Sequence, residues 1–266
     1  MSHILRLFQN AEGQTDGASL GEINAEKVEA VFDLNDAPVE HVQIQPELRL
    51  VYHTDPRDPA ADRYRFLRMR LRQFASKAKL KTLLVTSPLP AEGKSTVALN
   101  LATALADRRD QAVLLVDADL HHSLLMAQLG LNAPRGLAEC LEGSEDPLSA
   151  IRRLKPLDWF LLPAGQTSAN PTELLHTPAL SAVMQALSRY FDWIVIDSPP
   201  VVPTTDPLSL MQTADGVLLV VKAGQTPQTA IEEALQRLGR ERLVGIILNG
   251  AEESDPLYSK YRGYYK

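Results

Sequence analysis

Six short apolar runs recur along the second two thirds of the chain, and polar or turn-forming residues bound each of them. They occupy residues 82–87, 112–119, 159–165, 192–200, 216–223 and 243–250. Their apolar positions show no helical period, which is typical of strands that are buried on both faces. Helix-like patterns alternate with the runs. The sequence therefore predicts an α/β fold, a doubly wound and mostly parallel sheet with helices on both faces.

Helices are predicted at about residues 60–79, 94–108, near Leu124, 174–190 and 229–239. In the first of them, Tyr64, Leu67 and Leu71 recur at i, i+3 and i+7 and form one apolar face. The rest of that helix is largely cationic through Arg65, Arg68, Arg70 and Arg72. This cationic surface is either a solvated face or a contact for another subunit or an acidic partner.

The first 50 residues differ in character from the rest. Ile4, Leu5, Leu7 and Phe8 fit a short amphipathic helix, a Gly-, Ser- and Asp-rich stretch after them resembles a flexible linker, and residues 42–53 alternate weakly like one strand. We expect three parts: a partly flexible extension or linker over 1–50, one domain over 51–257, and a tail over 258–266.

Composition excludes several classes of protein. The chain has 266 residues, of which 45% are hydrophobic and 23% charged, so it is neither fibrous nor wholly disordered. Its net charge of −6 is unusual for a protein that binds duplex nucleic acid over its whole surface, and we expect no nucleic-acid partner. A single cysteine, Cys140, excludes an internal disulfide and favours a reducing compartment. No apolar run spans a membrane, and no secretory signal begins the chain, so we expect a cytoplasmic location.

The candidate phosphate-binding loop is PLPAEGKST, residues 88–96, which lies between a predicted strand and a predicted helix. Backbone amides at such a junction bind phosphate oxygens, helped by the helix dipole. The contributing residues are expected to be Ala91, Glu92, Gly93, Lys94, Ser95 and Thr96. Lys94 would contact the β- and γ-phosphates of ATP, and the Ser95 hydroxyl would bind Mg²⁺. The first glycine of the strict G-x-x-x-x-G-K-[ST] pattern is replaced by Pro88.

Three carboxylates follow two other predicted strands. Asp117 and Asp119 end the second strand, and Asp197 ends the fourth. Parallel strands direct their carboxyl ends to one crevice, where these acids would repel one another without a cation. We expect Asp197 and Ser95, with Asp117, to hold Mg²⁺. Asp117 or Asp119 would accept a proton from an attacking hydroxyl, so the predicted catalytic residues are Lys94, Asp117, Asp119 and Asp197.

Four of the seven tyrosines lie in the last nine residues: Tyr258, Tyr261, Tyr264 and Tyr265. Chain termini are usually mobile, so these side chains are poor candidates for a packed core. The tail is either a phosphoacceptor segment beside an ATP site, an adhesive interfacial segment, or a segment that stacks on single-stranded nucleic acid.

These features together resemble the bacterial tyrosine kinases of capsular and exopolysaccharide synthesis. VTSPLPAEGKST resembles their Walker A, VLLVDADL their Walker A′, and WIVIDSPPVVPTTDPLSL their Walker B segment. LLPAGQTSANPTELLHTPAL resembles another stretch of the family. Asp62, Arg65 and Arg68 resemble its Glu-x-x-Arg-x-x-Arg oligomerisation motif, with Asp in place of Glu, and His121 stands where the family carries Arg.

The resemblance implies an ATP- and Mg²⁺-dependent kinase that phosphorylates its own terminal tyrosines between subunits, with a P-loop fold of the MinD/ParA-like type. It implies a homo-oligomer, possible as a ring, and a cognate tyrosine phosphatase. A separate transmembrane activator or polysaccharide co-polymerase would recruit the chain to the inner face of the membrane. In similar P-loop proteins the segment near Asn249 touches the adenine, although a strand-end turn explains Asn249 equally well.

Two other functions use the same fold. A switch ATPase of the partitioning or septum-placement type dimerises on nucleotide and transfers no phosphate to protein. Those ATPases carry an additional lysine where this chain has Leu89, and they have no terminal tyrosine cluster. A non-catalytic scaffold that only holds nucleotide is the third possibility.

Overall fold

The computed structural model describes residues 32–44, 46–107, 111–123, 125–132, 135–167 and 169–251. Eight strands form one sheet. They are β1 (Val39–His41), β2 (Thr82–Thr86), β3 (Val113–Asp117), β4 (Arg152–Lys155), β5 (Trp159–Leu162), β6 (Trp193–Asp197), β7 (Gly216–Lys222) and β8 (Leu243–Asn249).

The strands are arranged in the order β1-β4-β5-β3-β6-β2-β7-β8. All neighbouring pairs are parallel except β4 and β5, which are antiparallel. Strands β2, β3 and β6 lie at the centre and are buried along their whole length. Their carboxyl ends therefore meet at one edge of the sheet, where the phosphate loop and the three acids follow them.

Ten helices belong to the described residues. They are α1 (Val51–Thr54), α2 (Pro59–Ala75), α3 (Lys94–Ala106), α4 (Leu125–Gln128), α5 (Leu137–Leu141), α6 (Pro147–Ala150), α7 (Pro171–Leu175), α8 (Pro178–Ser188), α9 (Asp206–Met211) and α10 (Gln228–Leu238). None of these helices is long and apolar enough to cross a membrane.

Helices cover both faces of the sheet, and a separate apolar core fills the space on each side. Alternate strand residues supply the two cores: Leu84 and Ile194 face one, whereas Leu83 and Val195 face the other. α8 packs in the first core, and α2 and α3 pack in the second. This double coverage explains why the central strands β2, β3 and β6 are mostly apolar.

The predicted fold class and all six predicted strands are confirmed. The structure also contains β4, which sequence analysis missed because its residues, RRLK, are mostly charged. The single helix expected over residues 174–190 is wrong: it is two helices, because Pro178 begins a new one after the cap residue Thr177.

The expected strand over residues 42–53 is also wrong. The strand lies earlier, at β1, and residues 51–54 form α1 instead. β1 pairs with β4, and Ala37, Val42 and Leu50 are buried. Residues 32–44 and 46–50 are therefore part of the packed domain and not a linker before it. The rest of the predicted extension, residues 1–31 and 45, lies outside the described residues.

Candidate active site

The phosphate loop connects β2 directly to α3. Inside it the Ser87 hydroxyl donates to the Leu89 carbonyl over 2.7 Å, and the Leu89 amide donates to the Glu92 carboxylate over 3.2 Å. Ala91 and Gly93 adopt left-handed backbone angles, with φ of 61° and 89°. The loop thus folds back on itself at the amino end of α3, where free amides and the helix dipole favour an anion.

Lys94, the first residue of α3, lies beside an acid that follows β3. Its Nζ is 3.2 Å from Asp119 Oδ2, and both side chains are largely buried. The other oxygen of Asp119 accepts the His122 amide over 3.1 Å, and the Asp119 amide contacts Asp117 Oδ1 at 3.3 Å. A lysine and an aspartate therefore face each other where the loop meets the strand ends.

Asp117 and Asp197 occupy paired positions on neighbouring strands, and each side chain is almost fully buried. Burial and the charge of Asp197 raise the pKa of Asp117 to about 7, although Ser123 donates a hydrogen bond to it over 2.7 Å. Burial raises the pKa of Asp197 to about 6, against the opposing effects of Lys94 and of a hydrogen bond with Ser95. The site therefore disfavours two negative charges unless a cation accompanies them.

The donors at this pair of acids fit a magnesium ion. Asp197 Oδ1 is buried and has no hydrogen-bond partner among the described residues, so it is free to bind a cation. The Ser95 hydroxyl lies next to the same carboxylate. No group of three or more metal-binding His, Cys, Asp or Glu side chains occurs in the described part of the chain. A small number of protein ligands is typical of a Mg²⁺ site, because the ion keeps several of its waters and also binds phosphates of the substrate.

Asn249 closes the loop on the side of β8. Its Nδ2 donates to the carbonyl of Glu92 over 2.9 Å. It also lies against Gly93, where an added Cβ would be 2.1 Å from Nδ2. The structure thus brings the predicted nucleotide residues, from Ala91 to Thr96 and including Asn249, into one continuous region.

The chain is similar to known proteins in sequence and in fold. The model of the family described as "Cellulose biosynthesis protein BcsQ" matches residues 83–259, more than half of the chain. The tyrosine-protein kinase YwqD of Bacillus subtilis is 30% identical over 214 residues, which cover 80% of this chain and 89% of YwqD. The chain belongs to the bacterial tyrosine kinase family.

Other members of the bacterial tyrosine kinase family extend the comparison. The tyrosine-protein kinase ptk of Acinetobacter johnsonii is 31% identical over 203 residues, which cover 76% of this chain but only 28% of that longer kinase. The kinase domain of the Escherichia coli tyrosine kinase ETK superimposes with a TM-score of 0.72 at 25% identity, covering 85% of this chain and 87% of that domain. The prediction of a protein-tyrosine kinase is confirmed at the level of the family.

The residues that resemble the family's oligomerisation motif lie on α2, away from the three acids. Arg65 forms a surface ion pair with Asp62 at 2.5 Å. Arg68 instead turns inward, where it contacts Asp107 at 2.7 Å and the hydroxyl of Tyr52 at 3.1 Å. In this chain Arg68 therefore joins α2 to α3 and to the segment before α2.

His121 contacts two residues that are distant in the sequence. Its Nε2 lies 3.2 Å from the buried Asp206 carboxylate and 3.1 Å from the Thr172 hydroxyl. It thus joins the loop after β3 to α7 and α9. Sequence analysis missed this contact, since nothing local to His121 indicates a partner 85 residues further along the chain.

The four tail tyrosines, Tyr258, Tyr261, Tyr264 and Tyr265, lie outside the described residues. The last described residue is Ala251, two positions after Asn249 at the end of β8.

Proposed function

We propose that this chain is an ATP-dependent tyrosine autokinase that phosphorylates the terminal tyrosines of a neighbouring copy. The observation that carries the proposal is the arrangement around Lys94: a phosphate loop, Asp119 at 3.2 Å from the lysine, and the buried pair Asp117 and Asp197 behind it. Phosphoryl transfer needs positioning and neutralisation of charge, and this set of residues supplies both.

The roles follow from position. The loop amides and Lys94 hold the β- and γ-phosphates, while Ser95, Asp117 and Asp197 would hold Mg²⁺. An Mg²⁺ ion held there would supply positive charge to the phosphate oxygens. The phenol oxygen of tyrosine forms a bond to the γ-phosphorus, and the bond from that phosphorus to the β–γ bridging oxygen breaks. ADP leaves with the bridging oxygen, and the phenol proton passes to Asp117 or Asp119.

The family description, which names cellulose biosynthesis, supports a role in making or exporting a polysaccharide. We also propose that the partner of this kinase is a transmembrane activator or polysaccharide co-polymerase. Its cytoplasmic tail would activate the kinase at the inner face of the membrane, and a cognate phosphatase would reverse the reaction. Half-exposed Phe66, Met69 and Phe74 on α2 support a homo-oligomer.

The test is direct detection of phosphotyrosine. The purified chain is incubated with Mg-ATP, with and without the cytoplasmic segment of the activator, and phosphates are mapped by mass spectrometry. We expect phosphate on the tail, none in the Lys94→Met variant, and none when all four tail tyrosines are changed to Phe, although the latter still binds ATP. Steady release of ADP with an unmodified tail would instead indicate a switch ATPase, and nucleotide binding without either activity a scaffold.

Transfer between copies is tested by mixing. Lys94→Met protein with an intact tail is combined with active protein that lacks tail tyrosines. Phosphate on the Lys94→Met chain is expected. An unlabelled Lys94→Met chain, under conditions in which wild-type protein alone labels its own tail, would contradict transfer between copies.

A further inference from the structure

A buried carboxylate lies inside the phosphate loop. The Glu92 side chain precedes Gly93 and is almost fully enclosed. One oxygen accepts the Leu89 amide from within the loop, and the other accepts the Thr226 hydroxyl over 2.5 Å. The first bond closes the loop on itself. The second attaches it to a turn that lies 134 residues further along the chain.

Thr226 is itself held firmly. It ends the turn of residues 222–226 that leads from β7 to α10. Its Oγ1 accepts the Lys222 amide over 2.9 Å, and its own amide donates to the Lys222 carbonyl over 3.1 Å. In addition, the Ala223 amide donates to the Asn249 carbonyl over 2.8 Å. The hydroxyl that reaches Glu92 therefore comes from a fixed turn joined to the end of β8.

The backbone on either side of Glu92 needs such support. Ala91 has a φ of 61°, which is uncommon for a residue with a Cβ, and Gly93 has a φ of 89°. Backbone in these regions persists when its surroundings determine it. Here Thr226 fixes the side chain of Glu92, and Asn249 fixes its carbonyl.

We infer that Thr226 is a positioning residue for the phosphate loop. It acts through Glu92, two residues before Lys94, and it keeps the loop amides and the lysine in the geometry that binds a triphosphate. The inference rests on the proposed function, because it assumes that this loop binds ATP. Without the Thr226 hydroxyl, one oxygen of the buried Glu92 carboxylate has lost its donor. The phosphate loop of the nucleotide-free protein is then less firmly held.

The experiment compares three variants of the full chain. Thr226→Val removes the hydroxyl with almost no change of shape, and Thr226→Ser keeps it. Thr213→Val is the matched control, because Thr213 donates its hydroxyl to the Leu210 carbonyl in a turn between α9 and β7. The dissociation constants of Mg-ADP and a non-hydrolysable ATP analogue are measured by calorimetry, and thermal unfolding is recorded without nucleotide.

We expect Thr226→Val to weaken binding about tenfold, because small displacements in a positioned site are costly. Thr226→Ser should restore binding, and Thr213→Val should bind like the wild type, with all unfolding midpoints close together. In the Glu92→Gln protein, adding Thr226→Val should reduce nucleotide affinity less than it does in the wild type, because the two substitutions disturb the same contact.

Three results would overturn the inference. Equal affinities of Thr226→Val and wild type would show that the hydroxyl does not position the loop. A loss of affinity that Thr226→Ser does not restore, matched by an equal loss of thermal stability, would show a purely structural role. A wild-type chain that binds no nucleotide would overturn the proposed function and this inference together.

Discussion

Asp117 and Asp197 stand side by side at the ends of β3 and β6, in register as strand partners. Each side chain is buried, and the pKa of each carboxyl is raised, to about 7 and about 6. The folded chain therefore disfavours the ionised form of both carboxyls. This effect is a property of the metal-free protein, and a bound cation relieves it.

Metal-free protein should lose stability as the pH rises. Both carboxyls keep their protons in the folded state up to about pH 6–7, whereas in the unfolded chain they ionise near pH 4. The folded state thus binds more protons, and the free energy of unfolding falls between about pH 4 and pH 7. Asp117→Asn should raise that free energy at pH 8 by on the order of 2–4 kcal/mol and flatten the slope.

Chemical denaturation in EDTA at pH 5 and pH 8 measures the effect on Asp117→Asn. Exposed Asp36 provides the control, and Asp36→Asn should keep the wild-type slope. An Asp117→Asn variant that is less stable than the wild type at pH 8 would contradict the argument.

Removing the charge of Lys94 should abolish phosphate transfer. Lys94 is the cation closest to Asp119, and its charge also lowers the pKa of Asp197. Lys94→Met should slow single-turnover transfer by at least about 100-fold, the size of effect seen when one charge-stabilising donor is lost. Lys79→Met, at an exposed lysine, should have wild-type rates. Residual transfer above one tenth of the wild-type rate would mean that another group neutralises the phosphates.

The two arginines of the α2 motif should behave differently on substitution. Arg68 contacts Asp107, the Tyr52 hydroxyl and the Ala104 carbonyl, and its side chain is only 18% exposed. Arg68→Ala should therefore lower the free energy of unfolding by about 1–3 kcal/mol, since a charge-assisted network is lost. Arg65→Ala should have little effect, because its pair with Asp62 is at the surface.

Urea unfolding of both α2 variants, with sedimentation to follow assembly, separates stability from oligomer formation. If Arg68→Ala leaves stability unchanged but abolishes assembly, Arg68 acts between subunits and the internal contacts contribute little.

A side chain at position 93 should disturb the loop. In Gly93→Ala the new Cβ would lie 2.1 Å from Asn249 Nδ2, at a φ of 89°. Gly130→Ala is the matched control, because Gly130 has a φ of 66° with nothing within 4 Å, so it isolates the cost of backbone strain, about 1 kcal/mol. Gly93→Ala should weaken nucleotide binding at least about tenfold, whereas Gly130→Ala should not change it. Equal nucleotide affinities of the two variants would show that Asn249 moves aside freely.

Strands such as β3 were predictable because burial on both faces favours a run of apolar residues, here Val113 to Val116 before Asp117, and such a run is visible in the sequence itself. The alignment of Asp117 with Asp197 also followed, since parallel strands end at one edge. β4 could not be predicted, because its residues are mostly charged and form a strand only through pairing with β1 and β5. Thr226 was equally hidden, as its contact with Glu92 depends on how distant turns meet after folding.

β1 and β8 form opposite edges of the eight-stranded sheet. With strands about 4.8 Å apart, seven spacings separate the two edges by roughly 30 Å. A fluorophore attached at the exposed Val39 of β1 would therefore lie on the opposite flank from one attached at the exposed Leu248 of β8. Energy transfer between two such dyes would measure the distance between the two edges of the sheet. A partner that binds at one edge need not obstruct the other.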